Sequence, residues 1–265
     1  MRVHVLMENT SCHLDLVAEH GLSLLIETAA GLRILFDAGA SCAFADNAQR
    51  MGVDLAKVDI AVLSHGHFDH GGGLARFLEL NHHAPVWVSP HAFDAHYNAN
   101  GKNIGLSPEL RAHAQLRMLH AEQLELAPGV LLHRAYNMPT PHGAEGQGMT
   151  AVINGVRVAD DFRHEQYLLI EEAGQQVLFS GCSHRGVLNI ASYFRPHVLV
   201  GGFHFMKYDA VADAPRLHAA AGHLLRLPTR YYTGHCTGDA ALSVLAPLMG
   251  ARLQAISTGM QINLP

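Results

Sequence analysis

Lysine is nearly missing from this 265-residue chain: Lys57, Lys102 and Lys207 are the only three, and the formal net charge is −5. That leaves no basic field to hold a polyanion, so nucleic acid is not an expected partner. Cysteine is also sparse. Cys12, Cys42, Cys182 and Cys236 form no Cys-x-x-Cys pair and no even spacing, which argues against a zinc ribbon and a disulfide framework. No apolar run approaches membrane-spanning length. The opening Met1 to Asn9 is too short and too soon interrupted by charge to read as a signal sequence, so a cytoplasmic protein without membrane contact is expected. An apolar fraction of 49% with only 15% charged residues fits a compact α/β enzyme with a sizeable core and a small-molecule substrate. No linker is long or polar enough to divide it, so residues 1–265 read as a single domain.

Histidine is what the chain has in plenty, with 21 copies. The densest stretch runs Ser64-His65-Gly66-His67-Phe68-Asp69-His70-Gly71-Gly72-Gly73. It places three imidazoles and a carboxylate within six residues, just after the apolar run Val58 to Leu63. The run has the length and β-branched content of a buried strand, and the glycines lead into a helix from Leu74, so the four polar groups sit on a strand-to-helix loop. His65 and His67 can face one cation, while Asp69 and His70 can face a second.

Short apolar strands and turns continue through the first half: Val3 to Met7, Gly21 to Thr28, Arg33 to Asp37, Ile60 to Ser64 and Pro85 to Val88, with helices at Ala43 to Met51 and Leu74 to Leu80. Residues 89–148 change character. Loop-like segments there flank a helix expected at Pro108 to Leu119, and the stretch reads as an insertion over the metal mouth. Strands resume at Gln166 to Glu171, Gln176 to Ser180, Val198 to Val200 and Arg230 to Thr233, with helices at Gly186 to Phe194, Ala214 to Leu225 and Asp239 to Met249.

Catalytic groups of layered α/β folds gather where strands end. On that rule His184 would complete the first set with His65 and His67, and His235 the second with Asp69 and His70, leaving each cation an open position for water. Cys182 stands beside these candidates as a further possible ligand. His204, in Gly-Gly-Phe-His, could ligate, orient a hydroxide, or donate to a leaving group. Zinc is the expected metal, two ions in the first reading and one in the alternative, with iron or manganese left open. His82, His83, His91, His96, His113, His120 and His133 lack ligand spacing and are expected to face solvent or line a pocket.

The pattern His65-x-His67-x-Asp69-His70 after an apolar strand resembles the signature of the metallo-β-lactamase superfamily. Arg33 to Gly39 resembles the superfamily's early strand, whose closing aspartate supports the metal loop; Asp37 would be that residue. Segments Leu178 to Gly186, Gly201 to His204 and Tyr232 to Gly238 resemble its 7,8-dihydropterin-6-methyl-4-(ribofuranosyl)aminobenzene-5'-phosphate synthase-like branch. The resemblance implies a four-layer αββα sandwich. It also exposes a departure, because Gly181-Cys182 stands where many members have Gly-Asp with the aspartate bridging two metals. His142, in a loose match to another family motif, is held in reserve behind His184. By the branch resemblance, Asn9, Asn103, Arg163 and Glu165 would contact substrate.

Two zinc ions sharing a water support hydrolysis of a small phosphorylated or heteroaromatic substrate through a metal-bound hydroxide, with Asp69 as ligand and hydrogen-bond partner and His204 as acid. The branch resemblance implies an alternative, a transferase in which an arylamine displaces pyrophosphate from a dihydropterin methyl diphosphate. A non-catalytic metal-binding regulator is the third reading.

Overall fold

The computed structural model describes residues 1–134 and 136–264. Two seven-stranded sheets lie face to face. The first runs, in spatial order, Gln261–Asn263, Arg2–Met7, Ser23–Glu27, Arg33–Phe36, Ile60–Val62, Val86–Val88 and Leu116–Met118. The second runs Leu253–Ala255, Arg230–Thr233, Val198–Val200, Gln175–Phe179, Tyr167–Glu172, Val130–His133 and Gln123–Ala127. Each sheet joins an antiparallel side to a parallel side.

Both faces of the central strands, such as Ser23–Glu27, Ile60–Val62 and Val198–Val200, are buried, which explains why they read as continuous apolar runs. Leu24 and Ile26 point into the layer between the sheets, where Phe36 meets Phe179 at 5.8 Å between ring centroids. Leu25 and Leu35 point outward onto the helices Ala43–Arg50 and Leu74–Leu80 through Phe44, Ala48 and Phe77. The second sheet does the same with Leu178 and Leu199 against helices Val187–Phe194, Ala214–Leu225 and Asp239–Met249. Helix, sheet, sheet and helix are thus the four layers that the resemblance implied. Phe179→Ala should cost about 3–5 kcal/mol of unfolding free energy, the range for emptying a well-packed aromatic site. Denaturant titration reads it, and an unshifted midpoint would contradict this core.

The helix expected over Pro108 to Leu119 is absent. Pro108 starts a short 3₁₀ turn, Pro108–Ala112, and Leu116–Met118 is a strand pairing in parallel with Val86–Val88. The edge strand wins because three residues suffice to extend a sheet, whereas a helix here would have a largely exposed surface and little apolar face to bury. The rest of residues 89–148 supplies the hairpin Gln123–Ala127 and Val130–His133, plus Ala95–Tyr97, which joins Thr150–Ile153 and Val156–Ala159 in a separate three-stranded sheet. Among the described residues, no helix is long and apolar enough to cross a membrane.

Candidate metal centre

Five loops meet beyond the carboxyl ends of the parallel strands, where α/β sheets hold ligands. Asp37 follows Arg33–Phe36 with φ of 62°, a left-handed conformation that aspartate tolerates better than most residues. Its buried carboxylate accepts from the Ser64 N–H and the Ser64 hydroxyl, both at 2.7 Å, and lies 2.7 Å from His70 Nδ1. One side chain thereby sets the start of the histidine loop and turns the His70 ring. The loop also needs its glycines: a Cβ on Gly66 would lie 2.2 Å from the Ala92 carbonyl oxygen.

The later loops are held by carboxylates in the same manner. Glu165 accepts from the backbone N–H groups of His184 and Arg185 at 2.6 and 3.1 Å, and from the Tyr167 hydroxyl at 2.7 Å. Glu8 accepts the His235 N–H, while Asn9 Oδ1 sits 2.9 Å from His235 Nδ1. His65 Nδ1 lies 2.9 Å from the Ser64 hydroxyl. These contacts fix ring orientation in the way metal-binding histidines are ordinarily held.

The rings converge. Centroids of His65, His67 and His184 are 4.6, 4.8 and 4.9 Å apart. Beside them, His70 Nε2 lies 3.1 Å from both His235 Nε2 and Cys182 Sγ, and Asp69 Oδ2 lies 3.2 Å from His235 Nε2. Cys182 belongs to two donor groups, one with Asp69, His70 and His235 and one with His65 and His184. The thiol therefore occupies the place between the sets.

Electrostatics favour a cation here. Burial, aided by neighbouring rings, pushes His65, His67 and His184 well below the ordinary imidazole range, which keeps them in the neutral, ligating form. Burial pushes Asp69 up, but the His70 charge and the His235 hydrogen bond outweigh it and hold the carboxyl well below its usual range. Burial also pushes the Cys182 thiol well up, so a bound cation is what would make it a thiolate. The buried Nε2 atoms of His65, His67 and His184 have no hydrogen-bond partner. Donor atoms of His65, Cys182 and His184 lie within 4.8 Å of one another, while a donor atom of His67 groups with His96, Asp160 and His164; orphaned buried nitrogens are costly in an empty site and satisfied by metal, so the donors fit divalent cations.

Other expected residues fall elsewhere. His204 lines the mouth, its ring 4.2 Å from His184. Burial, then the His235 charge, lower it to about 4, a ring neutral at physiological pH that suits hydrogen bonding better than proton delivery. Asn9 acts on His235, and Glu165 is buried beneath His184; neither lines the mouth. Arg163 pairs with Asp161, and Asn103 caps the Gly105 N–H at 2.8 Å. His142 packs on His223, away from the cluster. His20 was not singled out from sequence, yet its Nε2 stands 3.4 Å from Asp69 Oδ2 at the mouth. His96 is a correction: it is 1% exposed and belongs to a buried cluster rather than to solvent. The mouth opens from a cavity of about 280 Å³ rimmed by Phe68, Lys102, Met206 and Lys207.

A family model of the metallo-beta-lactamase superfamily matches residues 17–151, just over half of the chain, including the histidine loop. The chain belongs to that superfamily. It is similar to the 7,8-dihydropterin-6-methyl-4-(beta-D-ribofuranosyl)-aminobenzene-5'-phosphate synthase of Methanocaldococcus jannaschii, with 28% identity over 247 residues, 83% of this chain and 82% of the relative. Among solved structures, Tm1679, described as a metal-dependent hydrolase of the beta-lactamase superfamily, superposes with a TM-score of 0.85 at 26% identity, covering 100% of this chain and 99% of that one. Zn(2+)-bound PqqB from Methylobacterium extorquens shares the metallo-β-lactamase fold across 100% of both chains, with a TM-score of 0.60 at 11% identity.

Proposed function

We propose that this superfamily member is a hydrolase of a small phosphorylated, heteroaromatic substrate, working with two zinc ions held by His65, His67 and His184 and by Asp69, His70 and His235. The observation that carries this reading is the set of buried, unpartnered imidazole nitrogens on His65, His67 and His184, two of whose rings, His67 and His184, line an open mouth. Cations bound there would acidify a water and take up charge on a substrate oxygen. Asp69 would accept a hydrogen bond from that water, and the neutral rings of His20 and His204 would orient substrate at the rim. Two of the chain's three lysines, Lys102 and Lys207, line this mouth, in a protein of net negative charge. That placement favours an anionic group, and Phe68 and Met206 beside them offer flat and apolar contact for a ring.

A second reading is favoured by the Methanocaldococcus relative, whose name describes a synthase of a dihydropterin linked to an aminobenzene. On it, the same lysines would grip a diphosphate leaving group while an arylamine attacks the methylene. The test is incubation of zinc-loaded protein in ¹⁸O-water with phosphodiester and phosphate-bearing heteroaromatic substrates. Turnover with water alone and label in the product are expected. A joint Lys102→Ala, Lys207→Ala variant should raise KM about a hundredfold, from roughly 1.5 kcal/mol or more per charged contact. Diphosphate release that strictly requires an arylamine would sink the hydrolase in favour of the transferase.

A further inference from the structure

Next to the metal mouth lies a second cavity, of about 190 Å³, that the chemistry above does not use. His204 and Lys207 line both spaces, and Glu145 lines only the second. The Glu145 backbone N–H donates to the His184 carbonyl at 2.7 Å, and the next residue, Gly146, passes so close that a Cβ there would lie 3.2 Å from His184 Nδ1. The segment carrying Glu145 is thus fixed against the metal centre without belonging to it. Tyr208 sets the side chain: its hydroxyl donates to the carboxylate, 3.0 Å from Oε2 and 3.3 Å from Oε1. The Tyr208 ring is itself held, stacked on Phe205 with centroids 5.1 Å apart and with the Arg216 guanidinium 4.5 Å from its own centroid.

A carboxylate offers about four lone-pair positions. Among the described residues, the Tyr208 hydroxyl is the one hydrogen-bond donor to that of Glu145. Burial pushes the carboxyl up, and the Tyr208 bond and the Arg216 charge oppose it only in part. The cations of the cavity do not close the gap. Arg216 is engaged by the Tyr208 ring and by Asp213, 3.8 Å away, and among the described residues no ion pair reaches Glu145. A half-buried acceptor short of donors, in a cavity adjoining the mouth, suits a ligand that brings its own N–H groups.

We propose that this cavity is the specificity subsite for the ring end of the substrate, with Glu145 accepting from two adjacent N–H groups: an exocyclic amino group and the neighbouring ring N–H of a fused aminopyrimidine-type heterocycle. Two parallel N–H donors match the two oxygens of a carboxylate, as the arms of a guanidinium do. The phosphate end stays in the mouth, near Lys102 and the cations, so one ligand spans both spaces. An anionic group would meet the Glu145 charge, and an apolar one would leave the carboxylate short of donors; the N–H edge satisfies it. Rings that carry the amino group are therefore selected over rings of the same shape that lack it. The inference rests on the reading of the substrate as a phosphorylated heteroaromatic molecule.

The test is titration calorimetry of zinc-loaded protein with 6-(phosphonomethyl)pterin, which carries that edge and resists hydrolysis, and with its 2-desamino counterpart, which lacks the amino group. Wild type should bind the amino compound about 10–100-fold more tightly, the size of a hydrogen bond to a charged group. Glu145→Gln, whose Oε1 still accepts from Tyr208, should lose that margin on the amino compound and hold the desamino compound within about twofold. Tyr208→Phe breaks the tether and keeps the carboxylate, so the preference should persist. Equal binding of the two compounds by wild type overturns the proposal. So does a Glu145→Gln loss shared by both compounds, or a preference lost as fully in Tyr208→Phe, since either marks the pair as a structural tether. Binding of neither compound sinks the phosphorylated-heteroaromatic reading itself, and the subsite with it. The wild-type comparison needs no variant, so it decides even where a substitution fails to fold.

Discussion

Replacing Asp37 with alanine is expected to cost about 3–5 kcal/mol of unfolding free energy and to leave the purified protein with less than half of its metal. The side chain is fully buried, and three groups converge on it: the Ser64 amide, the Ser64 hydroxyl and His70 Nδ1. Alanine strands all three donors away from water, at about 1–3 kcal/mol for each group left unpaired. The loss is structural first, because the Ser64 bonds set the loop path, and chemical second, because the His70 ring is no longer held toward the donors of Asp69, Cys182 and His235. Asp37→Asn separates the two. Its Oδ1 can still accept the Ser64 amide while its NH2 faces His70, so stability should fall by less than in the alanine variant and metal binding should fall by about as much. Denaturant unfolding combined with metal analysis reads both quantities. An Asp37→Ala protein with full metal content and wild-type stability would refute this account of the loop.

Stripping metal should have an effect of similar size on stability and a complete one on turnover. The centre places four buried nitrogens without partners, on His65, His67 and His184, next to a pair of Nε2 atoms only 3.1 Å apart on His70 and His235. That last pair can share at most one proton comfortably, and in metal-free protein the remaining lone pairs are left desolvated. Binding relieves both costs. A cation present at a thousandfold excess over its dissociation constant stabilises the fold by about 4 kcal/mol. For a chain of this length that amounts to a rise of roughly 10 °C in Tm. Dialysis against a chelator should therefore lower Tm and abolish turnover, and zinc should restore both. Turnover that persists in protein verified as metal-free would remove the basis of the proposed function. Reconstitution with iron or manganese in parallel identifies which ion supports activity.

How far the centre could be read in advance depended on how its parts are spaced. His65, His67, Asp69 and His70 were legible because one loop carries all four, and the glycines around them mark where backbone comes too close for a Cβ. His184 and His235 were legible by position, each following a strand whose apolar run was plain. Glu165 and Asn9 were singled out for the wrong task, since sequence shows that a polar residue is near the site but not whether it faces substrate or backbone. The strand Leu116–Met118 was read as helix because three residues, two half-buried around an exposed Arg117, carry too little periodicity to separate the two. His20 carried no usable signal. For the buried cluster, the spacing Asp160-x-x-x-His164 was a faint one, and nothing in the chain linked it to His96.

The order of residues by itself determined most of the strands of the two sheets, the helices outside them, the superfamily and the loop that presents the first histidines, because those depend on local patterns and contiguous motifs. Only the tertiary structure decided which donors meet. His96 reaches Asp160 across 64 positions because Ala95–Tyr97 pairs with Thr150–Ile153, placing His96 opposite Ala151, and Cys182 comes to lie between two histidine sets because parallel strands end at one edge. Such contacts follow from register and layer packing between segments far apart in the chain. Their physical cause is the burial of apolar faces elsewhere, which leaves no mark on the residues it brings together.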